Sequence, residues 1–185
     1  MVVALYYKLS YKEIGGSEQV DIPETKIEEV LVKDLSSSEY PATPKAVINL
    51  YSQMSKCFYD GEYTDKQYEK LVDQYRKLLD QELLVNNPEE DHAFRLSKEI
   101  QTYGDASRFI FVFYEPKDEE VKRYESAGKE YATVPMTYAL KEGDSEVLNT
   151  KEEFILRKDS EGKWKILGWR VKDKGEQQKE DSTKK

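Results

Sequence analysis

A change of hydrophobic period at Gly104 constrains this chain more than any other feature. Before it apolar residues recur at helical spacing, and after it they alternate with the period of strands. A chain that places its helices first and its strands afterwards, with no helix between strands, has no crossovers for a parallel sheet and reads as α+β.

The helical half divides into three. Thr43 is an N-cap with Pro44 at the first helical position, and Val47, Leu50, Tyr51, Met54 and Phe58 share one face until Gly61. Thr64-Asp65-Lys66-Gln67 is a capping box. It opens a second helix that carries Tyr68, Leu71, Val72, Tyr75, Leu78, Leu79 and Leu83 as far as Asn86-Asn87. The third starts at Asn87-Pro88-Glu89-Glu90, turns Ala93, Leu96, Ile100 and Tyr103 inward, and stops at Gly104.

The remainder is a meander. Arg108 to Tyr114 sets Phe109, Phe111 and Phe113 on one face and Ile110, Val112 and Tyr114 on the other, so both faces are covered for part of its length. A weaker strand near Val121 to Ser126 meets Gly128. Tyr131 to Lys141 then aligns Ala132, Val134, Met136, Tyr138 and Leu140, and Pro135 inside it predicts an edge or a bulge. Glu153 to Lys158 and Lys163 to Val171 close the sheet around the hairpin loop Asp159-Ser160-Glu161-Gly162. Trp164 and Trp169 have opposite parity, which puts one in the core and the other at a rim or partner surface.

Both ends differ from this middle. Met1 to Tyr7 is apolar but far short of the roughly 20 residues that span a bilayer. Followed by Lys8, it reads either as the last turns of a membrane anchor, with aromatic and basic residues at the interface, or as a first strand or frayed apolar end. Ser10 to Ala42 carries eight acids against three lysines, with Gly15-Gly16-Ser17 and Ser36-Ser37-Ser38, and reads as an acidic tether. Its one short element, Ile27 to Leu35, is a helix if Thr25 and Glu28 cap it and a strand if Val30-Leu31-Val32 prevails. Lys172 to Lys185 contains no apolar residue and is expected to be disordered. The chain thus divides into an anchor remnant (1–9), a tether (10–40), a domain (41–171) and a polar tail (172–185).

Composition narrows the function classes. With 37 Asp+Glu against 29 Lys+Arg, the net charge of -8 has the wrong sign for coating nucleic-acid phosphates or an anionic lipid surface. The lone Cys57 and lone His92 exclude a disulfide within the chain, thiolate zinc sites, paired-histidine zinc motifs and two-histidine relays. Glycine-rich phosphate cradles and the nucleophile elbow are absent from the sequence, and no cofactor is expected. His92 beside Asp91 is a solvated first-turn pair rather than a relay, because neighbouring helix residues point about 100 degrees apart. The acids Glu89-Glu90-Asp91 suit a helix N-terminus without further purpose.

The order of elements, ending in Glu153-Phe154-Ile155-Leu156-Arg157-Lys158 and Gly162-Lys163-Trp164-Lys165-Ile166-Leu167-Gly168-Trp169, resembles the NTF2-like superfamily, a cystatin-like α+β cone. The resemblance covers roughly Pro41 to Val171. The whole chain is also similar to a family of NTF2-like proteins from Gram-positive gut bacteria that carry an N-terminal membrane anchor. It implies three helices packed on a curved antiparallel sheet with a pocket between them. Some members use that pocket as a ketosteroid isomerase or dehydratase site, and many only for binding or dimerisation. Catalytic residues do not carry over. The dehydratase type needs histidine-aspartate pairs and only His92 is present, while no acid on the inner strand faces takes the role of the isomerase base.

Fourteen tyrosines among 22 aromatics are the chain's peculiarity. Tyr51, Tyr75, Tyr103 and Tyr138 on inward faces, with Arg157 as a cation, are the candidate pocket residues, since a few hydroxyls in an apolar hollow orient ligands. The plainer alternative packs the tyrosines in the core with each hydroxyl on a backbone partner, and pairs Arg157 with a nearby acid across strands. These readings point to a non-catalytic binding or assembly module tethered outside a bacterial membrane. Its partner would be a protein or a small apolar ligand, with a homodimer through the sheet and no nucleic acid. The alternatives are a small-molecule enzyme of isomerase or dehydratase type, and a cytoplasmic location without an anchor.

Overall fold

The computed structural model describes residues 26–36, 39–144 and 147–172. The readings of Met1 to Tyr7, of Thr25 as a cap, of the tether before Lys26 and of the tail beyond Lys172 fall outside them. The elements run α1 (Ile27–Leu31), α2 (Pro44–Asp60), α3 (Asp65–Lys77), α4 (Gln81–Val85), α5 (Glu89–Asp105), β1 (Arg108–Tyr114), a 3-10 turn (Asp118–Glu120), β2 (Lys122–Ser126), β3 (Lys129–Glu142), β4 (Leu148–Lys158) and β5 (Trp164–Val171). Helices precede an antiparallel sheet, as α+β requires.

Local chemistry sets the helix starts. Thr43 Oγ1 accepts from the Ala46 N–H at 3.2 Å with Pro44 at the first position, and Gly61, at φ +70°, ends α2 in the left-handed region. The Thr64–Gln67 capping box forms in both directions, at 2.9 and 3.3 Å. The apolar face of α2 is fully used: Val47, Met54 and Phe58 are at most 1% exposed, each burial contributing roughly 1.5–3 kcal/mol.

Among the described residues five helices form rather than three. The second predicted helix breaks at Leu78 because its chain leaves to pair with the sheet. The Ile166 N–H donates to the Leu78 carbonyl and the Asp80 N–H to the Ile166 carbonyl, both at 2.8 Å. Leu78 to Asp80 thereby covers part of the β5 edge. Asp80 then caps α4, its Oδ1 accepting from the Glu82 N–H at 2.9 Å. The third helix runs through Gly104 to Asp105, and the reversal falls on Ser107 at φ +50°. The short element of the acidic stretch is the helix α1, without a side-chain cap. Ile27, Val30, Leu31, Leu35 and Tyr40 are all buried in the main core, so part of residues 10–40 belongs to the packed unit.

The sheet order is β1-β3-β4-β5, with β2 also on β3. β1 pairs with β3 from Thr137 to Glu142 and β2 pairs with it from Lys129 to Thr133, on the same side. Pro135 lies in the gap between them, a local edge where a missing N–H costs no ladder bond. Ala127 and Gly128, at φ +50° and +71°, make the two-residue hairpin from β2 to β3 that right-handed strand twist favours.

Two bulges change the predicted faces. Phe111 is extra against β3, because Ile110 pairs with Leu140 and Val112 with Ala139. Phe113 consequently shifts to the core side opposite Tyr138, away from Phe109's parity. Leu167 is extra against β4, since Leu156 pairs with Ile166 and Ile155 with Gly168. That inserted residue brings Trp169 to the same face as Trp164, opposite Phe154, which corrects the expectation that the two tryptophans part.

Candidate functional site

The sheet's inner face meets α2 and α3 in a cluster of tyrosines. Tyr51 (α2) stacks on Tyr75 (α3) with ring centroids 4.6 Å apart, and meets Phe154 at 5.3 Å and Trp169 at 5.9 Å. Tyr138 (β3) joins them through Ser52, whose Oγ lies 2.8 Å from its hydroxyl. Ser52 spends its one proton on the Ile48 carbonyl at 2.9 Å, so Tyr138 is the donor. Tyr75 hydrogen-bonds the side chains of Tyr51 and Ser55, and Ser55 itself donates to the Tyr51 carbonyl.

One acid belongs to this cluster that sequence reasoning missed. Glu152 (β4) is 5% exposed and opposite Met136 on the inner face. Burial raises the pKa of Tyr51, Tyr75 and Tyr138, and the Glu152 charge adds to the rise at all three. The sequence reading starts the strand at Glu153. Stepping back by two from Leu156 and Phe154 reaches Glu152, so strand parity contained the signal.

Three of the five predicted residues therefore come together: Tyr51, Tyr75 and Tyr138. Tyr103 is buried elsewhere, against Tyr59 at 4.6 Å with the Arg108 guanidinium over its ring at 5.2 Å. Arg157 lies on the other side of the sheet. Its Nε and Nη2 reach the two oxygens of Asp80 at 3.0 and 2.5 Å, and Nη1 lies 3.3 Å from Glu82. The hydrogen bonds that Arg157 donates to Asp80 raise the guanidinium pKa above its ordinary value. Other tyrosines spend their hydroxyls on backbone: Tyr40 on Trp164, Tyr63 on Phe58 and Tyr68 on Ala93, at 2.7, 3.1 and 2.9 Å.

His92 differs from its expected solvated pairing with Asp91. Its Nδ1 lies 3.0 Å from Arg76 Nη1, which cannot accept, so Nδ1 accepts and the ring is neutral. Burial, then the charges of Arg76 and Arg95, push its pKa down to about 4.

An open groove of about 420 Å³ runs along the start of α2, lined by Lys33, Glu39, Pro41, Lys45, Asn49 and Glu115 among others, and none of the predicted pocket residues lines it. Among the described residues no group of three or more His, Cys, Asp or Glu is placed to hold a metal ion. No helix among them is long and apolar enough to cross a membrane. No curated protein matches the chain. The family model named Domain of unknown function (DUF6715) matches residues 1–169, and the chain belongs to that family.

Proposed function

We propose that this protein is a non-catalytic, NTF2-like binding or assembly module, held outside a bacterial membrane through its N-terminal apolar run and acidic stretch. One observation carries the reading. Where a cone-shaped fold would hold a ligand between helices and sheet, the rings of Tyr51, Tyr75, Phe154 and Trp169 fill the space, and the hydroxyl partners lie within the cluster. Assembly through the outer sheet face suits the half-buried Thr133, Pro135, Thr137 and Ile155 and the Tyr124–Tyr131 stack at 5.4 Å.

Glu152 among three phenols favours a second reading, a small-molecule enzyme of isomerase or dehydratase type in which that acid works with Tyr51 or Tyr138. Thermal shift against a panel of small apolar ligands separates the two. With its cone filled by these rings and its partner a protein met at the outer surface, the module predicts no saturable stabilisation of the wild type and binding by Tyr51→Ala, whose lost ring opens a cavity. Saturable binding by the wild type that perturbs Trp169 fluorescence would overturn it. Host-cell fractionation tests the membrane part: recovery of the protein in the soluble cytoplasmic fraction would refute it.

A further inference from the structure

We propose that the seam between α3 and α5, where Arg76 and Arg95 converge beside His92, is a binding site for an oxyanion, a carboxylate or phosphate group carried by a ligand. Both guanidiniums close on one residue at the α4–α5 junction. Arg76 Nη1 donates to the Asn87 carbonyl at 3.0 Å, and Arg95 Nη2 donates to Asn87 Oδ1 at 2.9 Å. The two forks are thus held a single asparagine apart, and the turn at Asn87 orients them.

Their remaining donors have no protein partner among the described residues. Of five N–H groups on each guanidinium, Arg76 uses donors only toward Asn87 and His92, and Arg95 only toward Asn87. Neither has a carboxylate at ion-pair distance among the described residues, in a chain where acids outnumber bases by 37 to 29. Arg108, Arg157 and Arg170 each sit on one, Glu142, Asp80 and Glu153, while Arg123 lies over the Trp164 ring. Both arginines are half-buried, so their charge is less screened than at a free surface.

His92 registers that uncompensated field. The groups facing it are Arg76 and the Tyr75 ring from α3, at 6.1 Å for the ring, and Arg95 from its own helix. Its ring is depressed by burial and by the two cations. An anion bridging the two forks would supply the missing negative charge. Planar guanidinium pairs match carboxylate and phosphate oxygens in bidentate fashion, which a lysine pair would not.

His92 is the chain's only histidine, so its ring gives one resolved NMR signal for the site. The experiment titrates the wild-type chain at neutral pH with sodium phosphate, and separately with sodium acetate. The His92 ring and the arginine Nε–H signals are followed against sodium chloride of equal ionic strength. The expected result is a saturating shift at His92, Arg76 and Arg95 with at least one oxyanion, and the arm that saturates at lower concentration identifies the class. Arg95→Gln should weaken the apparent affinity at least about tenfold, the loss of one charge-assisted pair. Lys66→Gln, which removes an exposed cation elsewhere on α3, should leave it unchanged. Linear shifts equal to those in chloride, or an Arg95→Gln titration identical to wild type in a folded protein, would overturn the site.

Discussion

Replacing Asp80 by alanine tests the claim that one carboxylate ties the broken helix to the sheet. Three hydrogen bonds end on it: the α4 cap from Glu82 N–H at 2.9 Å, and the two from Arg157 at 3.0 and 2.5 Å. The Asp80 side chain is 5% exposed and that of Arg157 17%, so water screens the pair weakly. Loss of the cap costs about 1 kcal/mol. Removing one partner of a buried ion pair costs about 3–5 kcal/mol. Glu82, 3.3 Å from Arg157 Nη1, takes over part of the charge and lowers that figure. The terms share atoms and do not add, so Asp80→Ala should lose about 2–4 kcal/mol, and Asp80→Asn, which keeps the cap oxygen, about half of that. Urea unfolding followed by the fluorescence of Trp164 and Trp169 measures it. A double-mutant cycle with Arg157→Met should give a coupling of about 1–2 kcal/mol. A loss below about 0.5 kcal/mol for Asp80→Ala, or strict additivity with Arg157→Met, would refute the reasoning.

Four further outcomes follow from the geometry. Leu156 and Ile166 are 0% exposed, and alanine at either should cost about 2–5 kcal/mol in the same urea assay. The Cys57 thiol, 4% exposed and pushed up to about 11 by burial, should resist alkylation in the folded protein at mildly alkaline pH and react on unfolding. His92 titrates lower in the folded state, about 4 against an ordinary 6.5, so its contribution is present above pH 6.5 and is lost as the pH falls from there toward 4; His92→Gln should flatten that part of the stability profile measured by urea midpoints. Limited proteolysis should leave a core that keeps α1, because Val30 and Leu35 are 1% and 2% exposed; a stable fragment starting at Pro41 would contradict their packing.

What the sequence made legible was local. Caps at Thr43 and Thr64, the buried face of α2 and the inner row Ala132 to Leu140 depend on residues three or four apart or on simple alternation, and these match the structure. Non-local terms were not legible. Leu78 and Leu79 continue the apolar spacing of α3, yet the hydrogen bonds to Ile166, nearly ninety residues away, outweigh helix continuation there. The sequence offers Arg157 a pocket or an acid across strands, and it pairs instead with Asp80 at the start of α4, whose position depends on that same break. The bulges at Phe111 and Leu167 moved Phe113 and Trp169 across the sheet; Gly168 after Leu167 was the one local hint. Three of the tyrosines met because α2, α3 and β3 converge, whereas Tyr103, on an equally inward helix face, belongs to the α2–α5 contact with Tyr59.

Glu152 weighs on the choice between module and enzyme through space rather than chemistry. An acid beside tyrosine hydroxyls in a buried setting is what proton transfer at a carbon needs, and it is equally what a satisfied polar core contains. The difference is access. If a substrate's path to the carboxylate along the inner face passes the Tyr51 ring, that ring must leave its contacts with Tyr75, Phe154 and Trp169 at 4.6, 5.3 and 5.9 Å. Each aromatic pair contributes about 0.5–1.5 kcal/mol beyond its area burial, so opening all three costs on the order of 3 kcal/mol before the lost burial is included. At that cost the open form is roughly 1% of the population or less, and any ligand entering it binds with an apparent affinity reduced by about a hundredfold. A partner that meets the outer surface carries no such penalty, and the energetics of the Tyr51 stack thus favour the module.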